Sequence, residues 1–269
     1  PYRLSARTSP FQGGKQGSIP CRVTNMTEVI ILAAGKGTRM KDVLPKALVQ
    51  VNNRPMISYG IETVKKAGLG LPIIVVGENE PLIREVLGND HRYHRQEQQL
   101  GTGHAVKSAL ATLQPETEHI IVLYCDHPLI TPETLNTLLA SHIKNNSVLT
   151  MAVAQANDFN EWRNALHSFG RIIRNEKGEI AAIVEKKDAN PEQLAVTEVN
   201  PAYFCFNRAW LEQAVTHITD DNVQKEYYLT DLVKQAFKEN KKIADIVISP
   251  EEALGANTKE EILVIEGLL

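Results

Sequence analysis

Short apolar runs alternate along the chain with stretches in which apolar residues recur at helical spacing. The runs with the length and branching of buried strands are Val29 to Leu32, Ile73 to Val76 and Ile120 to Leu123. The stretches that predict helices are Met56 to Lys66, Pro81 to Leu87, Gly103 to Leu113 and the segment that Pro132 opens. This order predicts a Rossmann-like α/β fold, a mostly parallel sheet flanked by helices, with a ligand crevice at the carboxyl ends of the strands.

The second half of the chain has a different pattern. Gly170 to Ile173, Ile180 to Val184 and Val199 to Phe206 are short strands, and a turn at Asn175 to Gly178 joins the first two. These strands predict a small mixed β lobe over the edge of the sheet where the crevice lies.

The first 25 residues differ from the rest. They contain Arg3, Arg7, Lys15 and Arg22 but no acidic residue, are rich in Gly, Ser and Pro, and show no periodicity. A transit peptide would also be basic, but it should be amphipathic and begin with Met. Residues 1–25 are therefore expected to be a non-native or disordered leader, residues 26–257 one domain, and residues 258–269 a helical tail.

The bulk composition excludes several classes of function. The formal charge is −3, which argues against a basic stripe for a nucleic-acid backbone, so no nucleic-acid partner is expected. Cys21, Cys125 and Cys205 lie far apart, which argues against a zinc site or a disulfide framework and favours a reducing cytoplasm. No apolar run approaches the roughly 18 to 20 residues that span a bilayer. A cytoplasmic protein without a membrane partner is expected, and its oligomeric state stays open.

The segment after the first strand, residues 32–46, has the composition of a phosphate-binding loop. Gly35 and Gly37 let backbone N–H groups approach phosphate oxygens, while Arg39 and Lys46 add charge and Pro45 stiffens the segment. The spacing matches neither G-x-x-x-x-G-K-[ST] nor G-x-G-x-x-G, which disfavours a Walker ATPase and a nicotinamide dehydrogenase. An ordinary strand-to-helix turn with two solvated cations is the alternative.

Asp126 follows the strand Ile120 to Leu123 at the predicted crevice edge. A carboxylate there is a natural ligand for Mg²⁺, which takes one or two protein groups beside phosphates and water. An Asp in a turn before a proline can instead form local hydrogen bonds, so the residues alone leave both roles open.

A glutamine-rich segment, Gln96 to Gly103, leads into a predicted helix. Gln side chains have both a donor and an acceptor, as reading the edge of a nucleobase requires, and Gly101 and Thr102 supply backbone donors near the helix start. His104 is expected to pack or to cap rather than to act as a catalyst.

Polar residues also lie at the ends of the second-half strands. They are Glu185, Asp188, Glu198 and Asn200. A hydroxyl-rich ligand would find acceptors and an amide there, although carboxylates are plentiful on any surface.

Five segments in this order resemble the uridylyltransferase half of the N-acetylglucosamine-1-phosphate uridylyltransferase family. The resemblance runs from about Val29 to Asn257. The segments are LAAGKGTRM with LPK (residues 32–46), QLGTGHA (99–105), DHPL (126–129), GRI through IVEKKD to EVN (170–200), and EYYLTD (226–231).

The resemblance implies roles for individual residues. The nucleotide triphosphate would be held by Leu32, Ala33, Ala34, Gly35, Arg39 and Lys46, with the last two as the catalytic cations. Uracil would be read by Gln96, Gly101 and Thr102. The sugar phosphate would meet Gly170, Glu185, Asn200 and Asn257, and Mg²⁺ would be held by Asp126 and Asn257.

The chain departs from this family at three places. The family usually has Gly before the metal-binding Asp, where this chain has Cys125, and Thr-Gly after the sugar-binding Asn, where this chain has Pro201 and Ala202. The family's second half, a left-handed β-helix that acetylates glucosamine-1-phosphate, has no counterpart in these residues.

The resulting hypothesis is a transfer of a uridylyl group. The phosphate of a sugar-1-phosphate, with N-acetylglucosamine-1-phosphate favoured, attacks the α-phosphorus of UTP in line and gives UDP-N-acetylglucosamine and pyrophosphate. The attacking oxygen is already anionic, so no general base is needed. The alternatives are a thymidylyl-, guanylyl- or cytidylyltransferase, and a non-catalytic protein that binds a nucleotide sugar.

Overall fold

One large sheet with helices on both faces forms the core of the protein. The computed structural model describes residues 21–35 and 44–269. The strands are β1 (Thr27–Leu32), β2 (Gln50–Val51), β3 (Arg54–Pro55), β4 (Ile73–Val76), β5 (Arg92–Arg95), β6 (His119–Tyr124), β7 (Leu149–Gln155), β8 (Gly170–Arg174), β9 (Ile180–Val184), β10 (Glu198–Asn200), β11 (Phe204–Asn207) and β12 (Ile243–Ile248). The α-helices are α1 (Cys21–Asn25), α2 (Met56–Lys66), α3 (Glu80–Leu87), α4 (Thr102–Ala109), α5 (Pro132–Asn145), α6 (Pro191–Leu194), α7 (Arg208–Ala214), α8 (Asp231–Lys238) and α9 (Lys259–Glu266).

The first half of the sheet is parallel, in the order β5-β4-β1-β6. Strand β1 is buried along its whole length, and its side chains alternate between two cores. Val29 and Ile31 pack on one face with α2 and α5, whereas Ile30 and Leu32 pack on the other with α4 and α8. Burial on both faces explains why this run is continuously apolar.

The strands of the second half extend the same sheet, mainly in antiparallel pairs. Strand β11 pairs with β6 and β7, β10 pairs with β7 and β8, and β9 pairs with β8. Strand β12 pairs in parallel with β7. The predicted fold class is confirmed, and the strands predicted for the smaller lobe are hydrogen-bonded members of the main sheet.

The predicted strand Val199 to Phe206 is wrong in one respect, because the structure divides it into β10 and β11. Strand β12 occupies one edge of β7 from Leu149 to Ala154, so β10 and β11 share the other edge. Pro201 has no N–H for a ladder, and Ala202 takes a left-handed φ of 64°. The break turns the chain from β8 towards β6.

The other predicted helices and strands are present in the structure, with bounds that differ by a few residues at most. Helix α2 has the predicted bounds, and the predicted helix Gly103 to Leu113 consists of α4 and a 3-10 turn at Leu110–Thr112. The elements that were not predicted are strands β2, β3, β5, β7 and β12 and helices α1, α6, α7 and α8. Residues 1–20 of the predicted leader lie outside the described residues. No helix in the described part of the chain is both long and apolar enough to cross a membrane.

Candidate active site

A cleft lies at the carboxyl ends of β1 and β6 and consists of two connected cavities. One measures about 410 Å³ and the other about 250 Å³. Four residues line both cavities: Thr102, Tyr124, Asp126 and Glu226. The crevice is therefore at the sheet edge that the order of strands predicts.

The structure gathers most of the predicted residues in this cleft. The larger cavity is lined by Leu32, Ala34, Gly35, Lys46, Gln96 and Gly101, and the smaller one by Gly170, Glu185, Asn200 and Asn257. Ala33 lines neither cavity, and its N–H donates to the carbonyl of Val75 at 2.8 Å. Arg39 and Gly37 lie outside the described residues.

Three of these residues meet where the two cavities join. The ammonium of Lys46 donates hydrogen bonds to Oδ2 of Asp126 and, at 2.7 Å, to Oδ1 of Asn257. Lys46 begins a 3-10 turn after Pro45, Asp126 follows β6, and Asn257 precedes α9. Segments that are distant in the sequence thus converge on one cation.

Asp126 is ionised and firmly held. Burial opposes its ionisation, but the charge of Lys46, with a contribution from His127, lowers the pKa of Asp126 to about 2. Its backbone carbonyl accepts from the N–H of Ala256 at 2.9 Å. The ring of His127 donates from Nδ1 to the carbonyl of Ala253 at 3.1 Å, and its Nε2 lies 3.5 Å from Oδ1 of Asp126.

The donor set around Lys46 fits a hard divalent cation. Oδ1 of Asp126 is buried and has no hydrogen-bond partner among the described residues, so one carboxylate oxygen is free for a ligand. The carboxylate of Asp126 and the amide oxygen of Asn257 already converge on the positive charge of Lys46. Oxygen ligands in this small number suit Mg²⁺ beside phosphates. The described residues contain no cluster of three or more His, Cys, Asp or Glu that could hold a metal alone.

The loop before α4 shapes the far end of the larger cavity. The backbone of Tyr227 holds this loop, because its N–H donates to Leu100 at 2.8 Å and its carbonyl accepts from Gly103 at 2.7 Å. Gly101 has a φ of 114°, and a Cβ there would lie 2.7 Å from the N of Tyr227. Only glycine fits at this position.

Polar side chains at or near the ends of the antiparallel strands line the smaller cavity. Asn200 is buried, and Glu185 is partly buried. Gly170 and Asn200 are register partners in β8 and β10, and a Cβ on Gly170 would lie 2.8 Å from Cγ2 of Ile183. Glu185 accepts from Oγ1 of Thr230 at 3.0 Å, and burial raises the pKa of Glu185. Oδ1 of Asn200 accepts from the N–H of Ala202, which leaves its Nδ2 as a donor.

Several cleft residues were not among the predicted site residues. Tyr124 and Glu226 line both cavities, and Cys125 lines the larger one. Burial raises the pKa of the Cys125 thiol to about 12, so the side chain acts as a neutral wall. Tyr124 ends a buried strand two residues before Asp126, and this position was the signal that could have found it.

Another cavity of about 460 Å³ lies elsewhere, between β8 and the start of β12. Its lining includes Arg174 and Asp245, which form an ion pair with each other at 2.7 Å. None of the predicted site residues lines this cavity. The convergence of polar groups therefore favours the cleft at the carboxyl edge.

The chain is similar to known proteins over most of its length. A family model described as the MobA-like NTP transferase domain matches residues 29–233. The chain is 38% identical over 236 residues to a bifunctional protein GlmU of Geotalea daltonii and 40% identical over 237 residues to one of Geobacter metallireducens. These matches cover 87% of the chain but 50% and 48% of the relatives, so the chain spans about half the length of the curated relatives it matches.

Two solved structures have a similar fold. A UDP-glucose pyrophosphorylase complexed with UDP-glucose has a TM-score of 0.70 at 18% identity, covering 90% of this chain and 98% of that chain. A putative glucose-1-phosphate thymidylyltransferase from Bacillus anthracis, in complex with a sucrose, has a TM-score of 0.71 at 16% identity, with coverages of 90% and 94%. At these identities the likeness shows the fold alone.

Proposed function

The chain belongs to the family of MobA-like NTP transferase domains, and we propose that it transfers a uridylyl group from UTP to a sugar-1-phosphate. The favoured acceptor is N-acetylglucosamine-1-phosphate, which would give UDP-N-acetylglucosamine and pyrophosphate. The similarity to bifunctional GlmU proteins over 87% of the chain supports this choice.

The observation that carries the proposal is the junction of the two cavities. Lys46, Asp126 and Asn257 meet there. The larger cavity, with Gln96, lies on one side of them, and the smaller cavity, with Glu185, lies on the other. A transfer between two phosphate-bearing substrates needs this arrangement, because both phosphates must meet at one charged point while their organic parts lie apart.

The larger cavity suits the nucleotide. Gln96, Gly101 and Thr102 line it near the start of α4, where the N–H of Thr102 has no hydrogen-bond partner among the described residues. A base would lie against these groups, with its phosphates towards Gly35 and Lys46. Arg39, which lies outside the described residues, would add a second cation to the phosphates.

The smaller cavity suits the sugar phosphate. Asn200 offers a donor, and Glu185 and Thr230 offer groups that can bind hydroxyls. A Cβ at Gly170 would clash with Cγ2 of Ile183, so only glycine fits at this point of the lining. An N-acetylated sugar would pack its ring beside Gly170 and direct its phosphate to Asp126 and Asn257.

The reaction requires no proton transfer at the attacking atom. An oxygen of the sugar phosphate forms a bond to the α-phosphorus of UTP, and the bond from that phosphorus to the bridging oxygen of pyrophosphate breaks. Lys46 neutralises charge on the leaving pyrophosphate, and Asp126 keeps Lys46 in position. Mg²⁺, held by Asp126 and Asn257, would screen the charges of the two phosphates when bound.

The direct test is release of pyrophosphate by the purified chain with UTP, Mg²⁺ and N-acetylglucosamine-1-phosphate. We expect turnover with this pair, and less with glucose-1-phosphate or with dTTP, GTP or CTP in place of UTP. Turnover that prefers another triphosphate would move the assignment to the thymidylyl, guanylyl or cytidylyl alternatives. Tight binding of UTP without pyrophosphate release from any acceptor would remove the enzymatic assignment.

A further inference from the structure

The amide of Gln96 is held in one orientation by two acceptors. Its Nε2 donates to the carbonyl of Gly101 at 3.3 Å and to Nδ1 of His104 at 2.9 Å. A carbonyl oxygen can only accept, and an amide nitrogen can only donate, so Nδ1 of His104 must be the unprotonated ring nitrogen. Both amide hydrogens of Gln96 are therefore used within the protein.

The carbonyl oxygen of Gln96 is the group left for a ligand. Oε1 has no hydrogen-bond partner among the described residues, and it is not one of their fully buried unpaired atoms. Gln96 as a whole is only 3% exposed and lines the larger cavity. Its side chain thus presents an acceptor, and no donor, to whatever lies in this part of the cleft.

We propose that His104 is a specificity-determining positioning residue: by accepting from Gln96 it holds Oε1 towards the nucleotide, so that the site selects a base with an N–H at that edge. Uracil has a donor at N3 and cytosine has an acceptor at the same position. An acceptor facing an acceptor leaves both groups unpaired, which rejects CTP. This inference rests on the proposed function only in assuming that a nucleotide binds in the larger cavity.

The surroundings of His104 maintain its role as an acceptor. Burial, with a smaller contribution from Lys107, lowers the pKa of His104, so the neutral ring is favoured near neutral pH. The ring also lies beside that of Tyr227, with 6.5 Å between the centroids. Tyr227 is the residue whose backbone holds the Leu100 to Gly103 turn, so one contact region fixes both the loop and the histidine.

The test is the ratio of the dissociation constants for CTP and UTP, measured by calorimetry with Mg²⁺ and no sugar phosphate. His104→Leu removes the acceptor and should lower this ratio by about tenfold or more. His104→Asn keeps an acceptor near Nδ1 and should retain the wild-type ratio within about threefold. His217→Leu, at an exposed histidine outside the cleft, should change nothing. An unchanged ratio in folded His104→Leu would overturn the inference.

A second measurement does not depend on the folding of any variant. In the wild-type chain labelled with ¹⁵N-histidine, NMR of the ring nitrogens should show His104 with the proton on Nε2. A proton on Nδ1 would contradict the hydrogen bond from Gln96. Both readings remain valid if no pyrophosphate is released, so failure of the proposed reaction and failure of this inference are distinguishable.

Discussion

The two halves of the sheet contribute to the cleft in different ways. The parallel half brings backbone to the larger cavity at Gly35 and Gly101, together with the side chains of Lys46 and Gln96. The antiparallel half supplies polar side chains, such as the partly buried Glu185 and the buried Asn200, each held by a hydrogen bond within the protein. Replacement of a polar side chain in the second half should therefore affect stability as well as binding, because it leaves a hydrogen-bond partner unpaired.

The largest effect is expected at the junction of the halves. Lys46→Ala removes the cation that we propose faces the leaving pyrophosphate and that bonds to Asp126 and Asn257. Removal of one such group typically reduces turnover on the order of 10² to 10³-fold. The rate of pyrophosphate release at saturating substrates measures this loss, and the free energy of unfolding should also fall, because the buried carboxylate of Asp126 loses the cation that favours its ionisation. Lys144→Ala, an exposed lysine on α5, is the control. Near-normal turnover of Lys46→Ala would remove Lys46 from the mechanism.

The difference between the halves also decides what the sequence could predict. The sequence predicted that Gly35 and Lys46 would lie at the cleft, because a glycine directly after a buried strand and a nearby cation are typical of a phosphate-binding loop. Asn257 has no such signal, since it lies 211 positions from Lys46, in a loop before α9, and only the family resemblance suggested it. The break between β10 and β11 was missed although Pro201 signals it, because the apolar pattern continues through the break.

Acid provides a test of the buried polar groups in the second half. His142 of α5 bonds to Thr150 of β7 at 3.0 Å, and burial, with a smaller contribution from His119, lowers the pKa of His142 from 6.5 to about 4. Between these values the unfolded chain binds a proton that the folded protein does not. The contribution of His142 to the free energy of unfolding is therefore fully present above pH 6.5, and about 3 kcal/mol of it should be lost as the pH falls to 4.

Urea unfolding between pH 7 and 4 measures this dependence. His142→Asn can still bond to Thr150 but cannot titrate, so its slope against pH should be flatter than that of the wild type by most of that amount. Asp126, with its pKa at about 2, stays ionised across this range, so the junction should keep its charge. An equal slope in the two proteins would show that His142 is not the group responsible.

A smaller loss of stability is expected when the buried charge next to Gly170, in the lining of the smaller cavity, is removed. Arg171 is 0% exposed and has no ion pair among the described residues. Its guanidinium donates instead to the carbonyls of His167, Phe169 and Leu194, and it lies 4.7 Å from the ring centre of Phe159. These hydrogen bonds hold the segment before Gly170 against β8.

Arg171→Met would leave three partly buried carbonyls without this donor, and we expect the free energy of unfolding to fall by about 2 to 3 kcal/mol. The KM for the sugar phosphate should rise while the KM for UTP stays near the wild-type value, because only the lining of the smaller cavity loses its support. Arg163→Met, at an arginine of the same region that pairs with Asp158 at the surface, should leave both quantities unchanged. A stable Arg171→Met protein with normal KM values would show that the segment before Gly170 does not depend on Arg171.

The smallest effect should have the opposite sign, because the break between β10 and β11 contains strain that a substitution can relieve. The left-handed φ of 64° at Ala202 costs a residue with a Cβ about 1 kcal/mol, and glycine avoids this cost while adding freedom to the unfolded chain. Ala202→Gly should therefore raise the free energy of unfolding by less than about 1 kcal/mol, measured by urea unfolding. The N–H that binds Asn200 is retained, so the KM for the sugar phosphate should not change.

Ala154→Gly, at a buried alanine in extended β7, should instead lower stability by about 1 kcal/mol, since glycine weakens a regular strand. Opposite signs for the two replacements would show that the backbone conformation at Ala202 lowers the stability of the protein. Equal destabilisation by both replacements would show that the left-handed conformation of Ala202 has no net cost.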